Sequence, residues 1–407
     1  MDDLVSRLLA HERVRAARAH VERTDEATLA RQAALSAVPA PTGQEARRAA
    51  RVAELLRQAG LADVAIDEAG NVRGWYGDAG RRNGDGCVIL SAHLDTVFGA
   101  EVDVSVARRG EGHGGGGSQR LEGPGIADNA RGLTALVTVA DALVQAGVRP
   151  VRPILFAATV GEEGAGDLCG AKHLLNGGSP RPAAFIALDG AGLERIVHRA
   201  LGSRRYRVIY RGPGGHSWAA FGVANPAAAV GRAIAVLADV PAHHAPRTTC
   251  AVVGLGGGTG LNSIPREAWL DLDLRSEDPE ALAALDRTVQ GALTRARDVE
   301  NARRAPATAP LQLETRLVGD RPSGVTPRAH PLVQVALAAT RALGGKGGGE
   351  GRPPASWRAR PPTRMCRSPS AFPRSRSGPA ARRETPICPP SGTRTPTERS
   401  ASCGRCS

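Results

Sequence analysis

Short apolar runs alternate with stretches of helical spacing through the first half of the chain, and that order constrains the fold more than any other feature. Residues 87–90 (Cys-Val-Ile-Leu) read as a strand, 132–146 as a helix with Leu133, Leu136, Val137, Val139 and Ala140 on its apolar side, 153–158 as a strand, 170–175 as a helix and 184–188 as a strand. Ahead of them, residues 35–60 carry helical spacing around Val52, Leu55 and Leu56, opened by the turn-like Pro39-Ala40-Pro41-Thr42-Gly43. Strands and helices in alternation bury their apolar faces as a covered, largely parallel sheet. The expected class is α/β, a mostly parallel central sheet covered by helices. From Tyr206 the pattern changes: 206–210 and 269–274 alternate as strands and 226–237 is helical, which predicts a smaller α+β domain inserted into the first. At 407 residues the chain exceeds what one core organises. The predicted division is a first domain in two parts, 1–202 and 302–345, an insertion at 203–301, and a tail at 346–407.

The net charge of +13 suggests nucleic acid until it is located. Residues 346–407 hold 13 Lys and Arg against 3 Asp and Glu, which leaves 40 against 37 for the rest. The body is nearly neutral. The tail has no Leu or Val and is filled largely by Arg, Pro, Ser, Gly and Ala, a composition too poor in apolar surface to offset its ordering entropy. Its only Trp and Phe are Trp357 and Phe372, too few to interleave with the basic residues as a nucleic-acid platform, so no nucleic-acid partner is expected. Cys366, Cys388, Cys403 and Cys406 read as incidental thiols, and Cys87, Cys169 and Cys250 are too sparse for a disulfide framework. No run of 18 apolar residues is present, and the first residues lack the basic-then-apolar order of a secretory signal, so a cytoplasmic protein with no membrane partner is expected.

Polar residues gather where the predicted strands end, the place open α/β sheets use for their sites. His93 and Asp95 follow residues 87–90, and in extended chain their i, i+2 spacing lets Asp95 hold the His93 ring beside a metal. Asp128 and Asn129 lie on the Gly-bent loop before the helix at 132, where a carboxylate can bridge cations or simply cap the helix. Glu162 and Glu163 follow the strand at 153–158; adjacent carboxylates repel unless a cation or shared proton offsets them, with exposure on a loop as the alternative. Asp189 ends the run at 184–188. Together these form a nitrogen and oxygen donor set suited to zinc, with cobalt or manganese less preferred. The Gly114 to Gly117 run and Gly254-x-Gly256 lack a Walker-type lysine and read as flexible loops, and His113, His243 and His244 read as solvated.

With Pro39-Ala40-Pro41-Thr42-Gly43, His93-x-Asp95, Gly125-x-x-Asp128-Asn129, Glu162-Glu163, Asp189, Gly214-Gly215-His216-Ser217 and Gly258-Thr259-Gly260-Leu261-Asn262 in order, the chain resembles a family of zinc-dependent amidohydrolases and exopeptidases. That family includes peptidase T, carboxypeptidase G, aminoacylase, acetylornithine deacetylase and succinyl-diaminopimelate desuccinylase. The stretch Thr-Val-Gly-Glu-Glu-Gly-Ala-Gly-Asp-Leu-Cys-Gly from Thr159 is most similar to the peptidase T-like branch. The resemblance implies a zinc exopeptidase-like catalytic domain with an inserted lid and dimerisation domain, two zinc ions per subunit, and cleavage of small peptides or N-acyl amino acids. It implies His93 and Asp189 on one metal, Asp128 as the bridge, Glu163 on the second metal, and Glu162 as the general base toward a metal-bridged water. Asp95 would orient His93, and His216 would stabilise the oxyanion, often across a homodimer. Asn262 and Arg275 would hold the substrate, with a structural ion pair as the other role for Arg275.

The chain departs from that family at its end. The family's last metal ligand is a His near the C-terminus, whereas no His follows His330 here, and His330 sits at a predicted helix start. A shift of reading frame between about residues 344 and 354 would explain both the lost ligand and the odd tail, because codons permitted by the tail allow a family-like ending in another frame. The expectation is a hydrolase by ancestry whose activity is impaired in this chain; the alternative is a non-catalytic relative that binds peptides or amino acids.

Overall fold

The computed structural model describes residues 1–78, 86–110, 119–178, 182–190, 192, 195–241 and 243–344. These fall in one compact unit, Met1–Gly351. The basic tail with its four cysteines, Trp357 and Phe372, as well as His113 and the Gly114 to Gly117 run, lie outside the described residues.

Three helices open the chain: α1 (Asp2–Ala10), α2 (Glu12–Arg23) and α3 (Asp25–Ser36). The helical spacing read over 35–60 splits into the end of α3 and a separate α4 (Ala46–Gln58), because Pro39 and Pro41 cannot donate the bonds that would join them. The chain continues through β1 (Ala62–Ile66), β2 (Val72–Tyr76), β3 (Cys87–His93), the ribbon of β4 (Ala107–Gly110) and β5 (Gln119–Glu122), α5 (Ala130–Gln145), β6 (Ile154–Thr159), α6 (Cys169–His173) and β7 (Pro182–Ala187). Among the described residues the central sheet has the order β1-β2-β6-β3-β7. β3 runs parallel to both β6 and β7, and the antiparallel β1–β2 hairpin extends the sheet along β6. Sequence periodicity did not reveal that hairpin.

From β3 the chain crosses through α5 to β6 on one side, then returns to β7 on the other. This reversal at the carboxyl end of β3 opens the crevice in which α/β sheets bind ligands. One sheet face packs on α4 and α5 through Val52, Leu56, Leu133, Leu136, Phe156 and Ala158. The opposite face has a smaller cluster of Cys87, Ile89, Leu155, Ala157 and Leu174, and β7 is a half-exposed edge strand.

The chain continues through β8 (Arg199–Ala200), β9 (Gly202–Arg211), β10 (Gly215–His216), α7 (Pro226–Ala238), β11 (His243–His244), β12 (Arg247–Gly257), β13 (Ser263–Ile264), β14 (Glu267–Ser276) and α8 (Pro279–Arg303). β10 pairs with β13 in a separate ribbon, and β9, β11, β12 and β14 with one later strand form the second sheet. Its antiparallel order is β11-β12-β14-β9-β15, where β15 is Gln312–Arg321. Tyr206, Val208 and Tyr210 alternate toward α7 and α8 with Leu270, Leu272 and Leu274, and the opposite face carries arginines and acids. β15 pairs along β9 from Gln312 to Arg321, so the second sheet takes a strand from beyond residue 301, where the expected insertion ends. The strand escaped sequence reading because it is an exposed edge with no apolar alternation. The short β16 (Gly324–Val325) pairs with β8, and α9 (Pro331–Ala342) packs on α1. His330 caps α9, its Nδ1 accepting the Leu332 amide (3.2 Å). No described helix is long and apolar enough to cross a membrane.

One buried cation supports the site from below. Arg48, on α4 and 1% exposed, donates to the carbonyls of Val38 (2.6 Å), Leu94 (2.8 Å) and Ser36 (3.3 Å), fastening the α3–α4 turn to the end of β3. Burial lowers its pKa to about 10, against the nearby Asp95 charge that raises it. Arg48→Ala would leave those carbonyls unpaired and should cost about 3–5 kcal/mol of unfolding free energy in urea denaturation. A loss below about 0.5 kcal/mol, the range of an ordinary surface change, would contradict this role.

Candidate metal centre

The register of the parallel strands brings the site residues to one level. His93 on β3 lies opposite Thr159 on β6, Ser91 lies opposite Ala187 on β7, and the Leu188 amide donates to Ser91 O (2.7 Å). His93, the loop at Glu162 and Glu163, and Asp189 therefore leave the sheet side by side. Asp128 reaches them from the loop that starts α5. Asn129 fixes that loop, since its Oδ1 accepts the Gly132 amide (2.9 Å) and its Nδ2 donates to Leu188 O (2.9 Å), one residue from Asp189. A Cβ at Gly132 would lie 2.1 Å from Asn129 Oδ1 and 2.3 Å from Leu188 O, so the junction admits only glycine.

His93 is buried and stands at the centre. Its Nδ1 is 3.0 Å from Asp95 O, a carbonyl that can only accept, so Nδ1 carries hydrogen and Nε2 faces the crevice. Nε2 lies 2.9 Å from Asp128 Oδ1 and 3.6 Å from Asp189 Oδ1. Burial alone would lower the pKa of this ring, but its bonds to Asp128, Asp189 and Asp95 push it up to about 12. Asp189 is lowered in turn by its bond to His93.

Asp95 does more than hold the ring. Its carboxylate, fully buried, accepts the amides of Glu162 (2.9 Å) and Glu163 (2.8 Å) and the Thr42 hydroxyl (2.9 Å). Burial opposes its ionisation, yet these bonds and His93 lower its pKa to about 2. Glu45, buried at the start of α4, adds a further tie by accepting the amides of Gly43 (2.9 Å) and Gly161 (3.1 Å). Gly161 has φ +63° and a Cβ there would meet Cys169 Sγ at 2.3 Å, which is how the chain bends sharply off β6. Burial, then the charges of Glu162 and Asp128, raise Glu163 to about 7, and burial raises Glu162. The side chain of Glu162 is approached by Arg321 of β15, whose Nη1 lies 3.4 Å from Oε1 while Nη2 donates to the Glu162 carbonyl.

The donor set fits a cation. Ligand atoms of His93, Asp128 and Asp189 lie within 4.8 Å of one another, as do those of His93, Glu162 and Glu163. Four carboxylates around one imidazole repel each other, and a divalent ion offsets that repulsion. His216 and Asn262 lie elsewhere, on the β10–β13 ribbon of the second domain, where the Ser217 amide donates to Asn262 O (2.9 Å). Among the described residues no hydrogen bond or ion pair links either to the His93 cluster. Arg275 Nε donates to Asp273 Oδ2 (2.8 Å), the ion pair the sequence left open. Glu45, Arg48, Gly132 and Arg321 were not singled out from sequence; the Gly43-Gln44-Glu45 run beside a turn was the one available signal.

Residues 75–205 match the model of peptidase family M28, and residues 200–298 match that of the peptidase dimerisation domain. The chain carries a peptidase domain joined to a peptidase dimerisation domain. His93, Asp95, Asp128, Glu162, Glu163 and Asp189 all lie in the first match, and His216, Asn262 and Arg275 in the second. The fold is similar to that of a tripeptidase from Staphylococcus aureus, at 21% identity and TM-score 0.60 over 79% of this chain and 84% of that one. It is also similar to aminopeptidase PepT from Bacillus cereus (20%, TM-score 0.57, 80% and 85%) and to the dipeptidase Dug1p from Saccharomyces cerevisiae (14%, TM-score 0.61, 85% and 89%). No curated protein matches the chain by sequence.

For a cation to sit on His93 Nε2 the ring must give up a proton, so binding weakens as pH falls and strengthens as it rises. Calorimetric titration with zinc at pH 7, in buffers of different ionisation enthalpy, should show at least about one proton released per ion at this histidine. Heats independent of the buffer would contradict the assignment.

Proposed function

We propose that the chain is a metal-dependent hydrolase that cleaves amide bonds in small peptides or N-acyl amino acids. The observation that carries this reading is the convergence of His93, Asp128 and Asp189 with Glu162 and Glu163 at the crevice of the peptidase domain. In this reading His93, Asp128 and Asp189 hold one ion, and Asp128 and Glu163 contribute to a second. Zinc suits the donors best, with cobalt or manganese as substitutes. The bound ions supply Lewis acidity to the scissile carbonyl and acidify water.

The remaining steps belong to the chain's own residues. Asp95 keeps His93 oriented and holds the two glutamate amides in place, while Arg48 and Glu45 hold the turns behind them. Glu162 ligates no ion in this reading, and burial raises its pKa, which is the direction that makes a carboxylate a stronger base. It takes a proton from the attacking water and returns it to the leaving amine. His216 steadies the oxyanion, and Asn262 and Arg275 bind the substrate's backbone and carboxylate. Since His216 and Asn262 have no bond to the cluster within one subunit, we place them in the site of a second copy, in a cytoplasmic homodimer. The outer edge of β12 supports such pairing: beyond Thr248 it has no strand neighbour among the described residues, and Val253 and Leu255 are exposed on it.

Glu162→Gln should lower kcat by about 10²–10⁴-fold while the bound metal stays constant. Unchanged turnover would exclude Glu162 as the base. Val253→Lys with Leu255→Lys should convert the dimer to monomers in sedimentation velocity, and a dimer that persists would place the interface elsewhere.

A second reading is favoured by one observation, the absence of any His after His330. With that ligand missing the second ion keeps only Asp128 and Glu163, so this chain should turn over peptides weakly or not at all, and a relative that binds peptides without cleaving them becomes the alternative. Two firmly bound metals per subunit with ordinary turnover on di- or tripeptides would refute the impairment. A whole-protein mass that matches residues 346–407 as they stand in the sequence would end the frame-shift explanation for the tail.

A further inference from the structure

The loop that carries Glu162 is gripped from the second sheet. Arg321, the last residue of β15, donates from Nη2 to the Glu162 carbonyl and places Nη1 3.4 Å from Glu162 Oε1. Its neighbour Asp320 donates its amide to Asp167 Oδ2 (3.0 Å) and accepts from Lys172 Nζ (2.8 Å). From β9, Arg205 Nη1 donates to Gly164 O (2.6 Å). The second domain thus holds the loop at three points, residues 162, 164 and 167.

Two further features show that these contacts shape the loop. Asp167 and Leu168 are consecutive non-glycine residues with φ +53° and +61°, a left-handed conformation that costs free energy and persists only where surrounding contacts enforce it. Arg321 Nε and Asp167 Oδ1 are both buried, neither has a hydrogen-bond partner, and they face each other at 3.7 Å, just beyond bonding reach. A small approach of the second sheet toward the loop would pair them.

We infer that Arg321 is a positioning residue for Glu162, and that through it the placement of the dimerisation domain sets the placement of the glutamate carboxylate. The inference rests on the reading of Glu162 as the proton-transfer group, and its physical content is a mechanical link between β15 and the loop after β6. Domain movement and base alignment then become one event.

Amide hydrogen exchange on the full chain tests the link, with Arg321→Ala compared with Arg321→Lys. The Ala variant should speed exchange across residues 161–168 by about tenfold or more, while segments with His93 and Asp128 keep their protection and zinc content is unchanged. Lys can still reach the Glu162 carbonyl and should recover part of that protection. In a dipeptide assay, kcat of the Ala variant should fall about tenfold with KM within about twofold, again partly recovered by Lys. Unchanged exchange at 161–168, faster exchange throughout the chain, or a raised KM at constant kcat would each overturn the inference. Failure of Glu162 as the base would show separately, as full turnover by Glu162→Gln, and would leave the exchange result standing.

Discussion

A single buried carboxylate holds the site together. Asp95 receives two backbone amides from the loop after β6 and a hydroxyl from the turn before α4, and it lies within 3.4 Å of His93 Nδ1. Three segments far apart in sequence thus meet at one anion. Behind it the charge is balanced by Arg48, whose guanidinium also fastens the Leu94 carbonyl. Burying both charges is tolerable because each is saturated with hydrogen bonds, the condition under which a low-dielectric interior holds ions.

In front of Asp95 the electrostatics point the other way. Asp128, Asp189, Glu162 and Glu163 crowd around one imidazole; against its burial, bonds to Asp128, Asp189 and Asp95 raise the pKa of His93, and burial together with the neighbouring acids raises Glu163. Such an arrangement is expensive to maintain for structure alone, since exposed loops could carry the same acids without mutual repulsion. It becomes economical when divalent ions sit among the acids. Asp95 is rigid and already satisfied, whereas Asp128 and Asp189 are about half exposed to the crevice, a division suited to a fixed support behind exchangeable ligands.

The five residues around the crevice were legible because they lie at or just past strand ends or just before a helix, positions that periodicity marks even in a single sequence. The role of Asp95 was legible only in part. The i, i+2 rule holds within a strand, but β3 ends at His93 and the chain then turns, so the carbonyl of Asp95 takes the ring while its side chain takes the glutamate loop. Arg48 and Glu45 were hidden because a charged residue in an amphipathic helix ordinarily faces water, and nothing local shows that these two do not. Arg321 lies 159 positions from Glu162 on an edge strand without apolar alternation, so only the folded sheet brings them together. The same edge character hid β15.

If the acids around His93 hold cations, anomalous diffraction from crystals grown with zinc should show a peak about 2.0–2.2 Å from His93 Nε2 and from oxygens of Asp128 and Asp189, with Glu162 outside bonding distance. Zinc found only at other residues, with the His93 ring still paired directly to Asp128, would contradict that role.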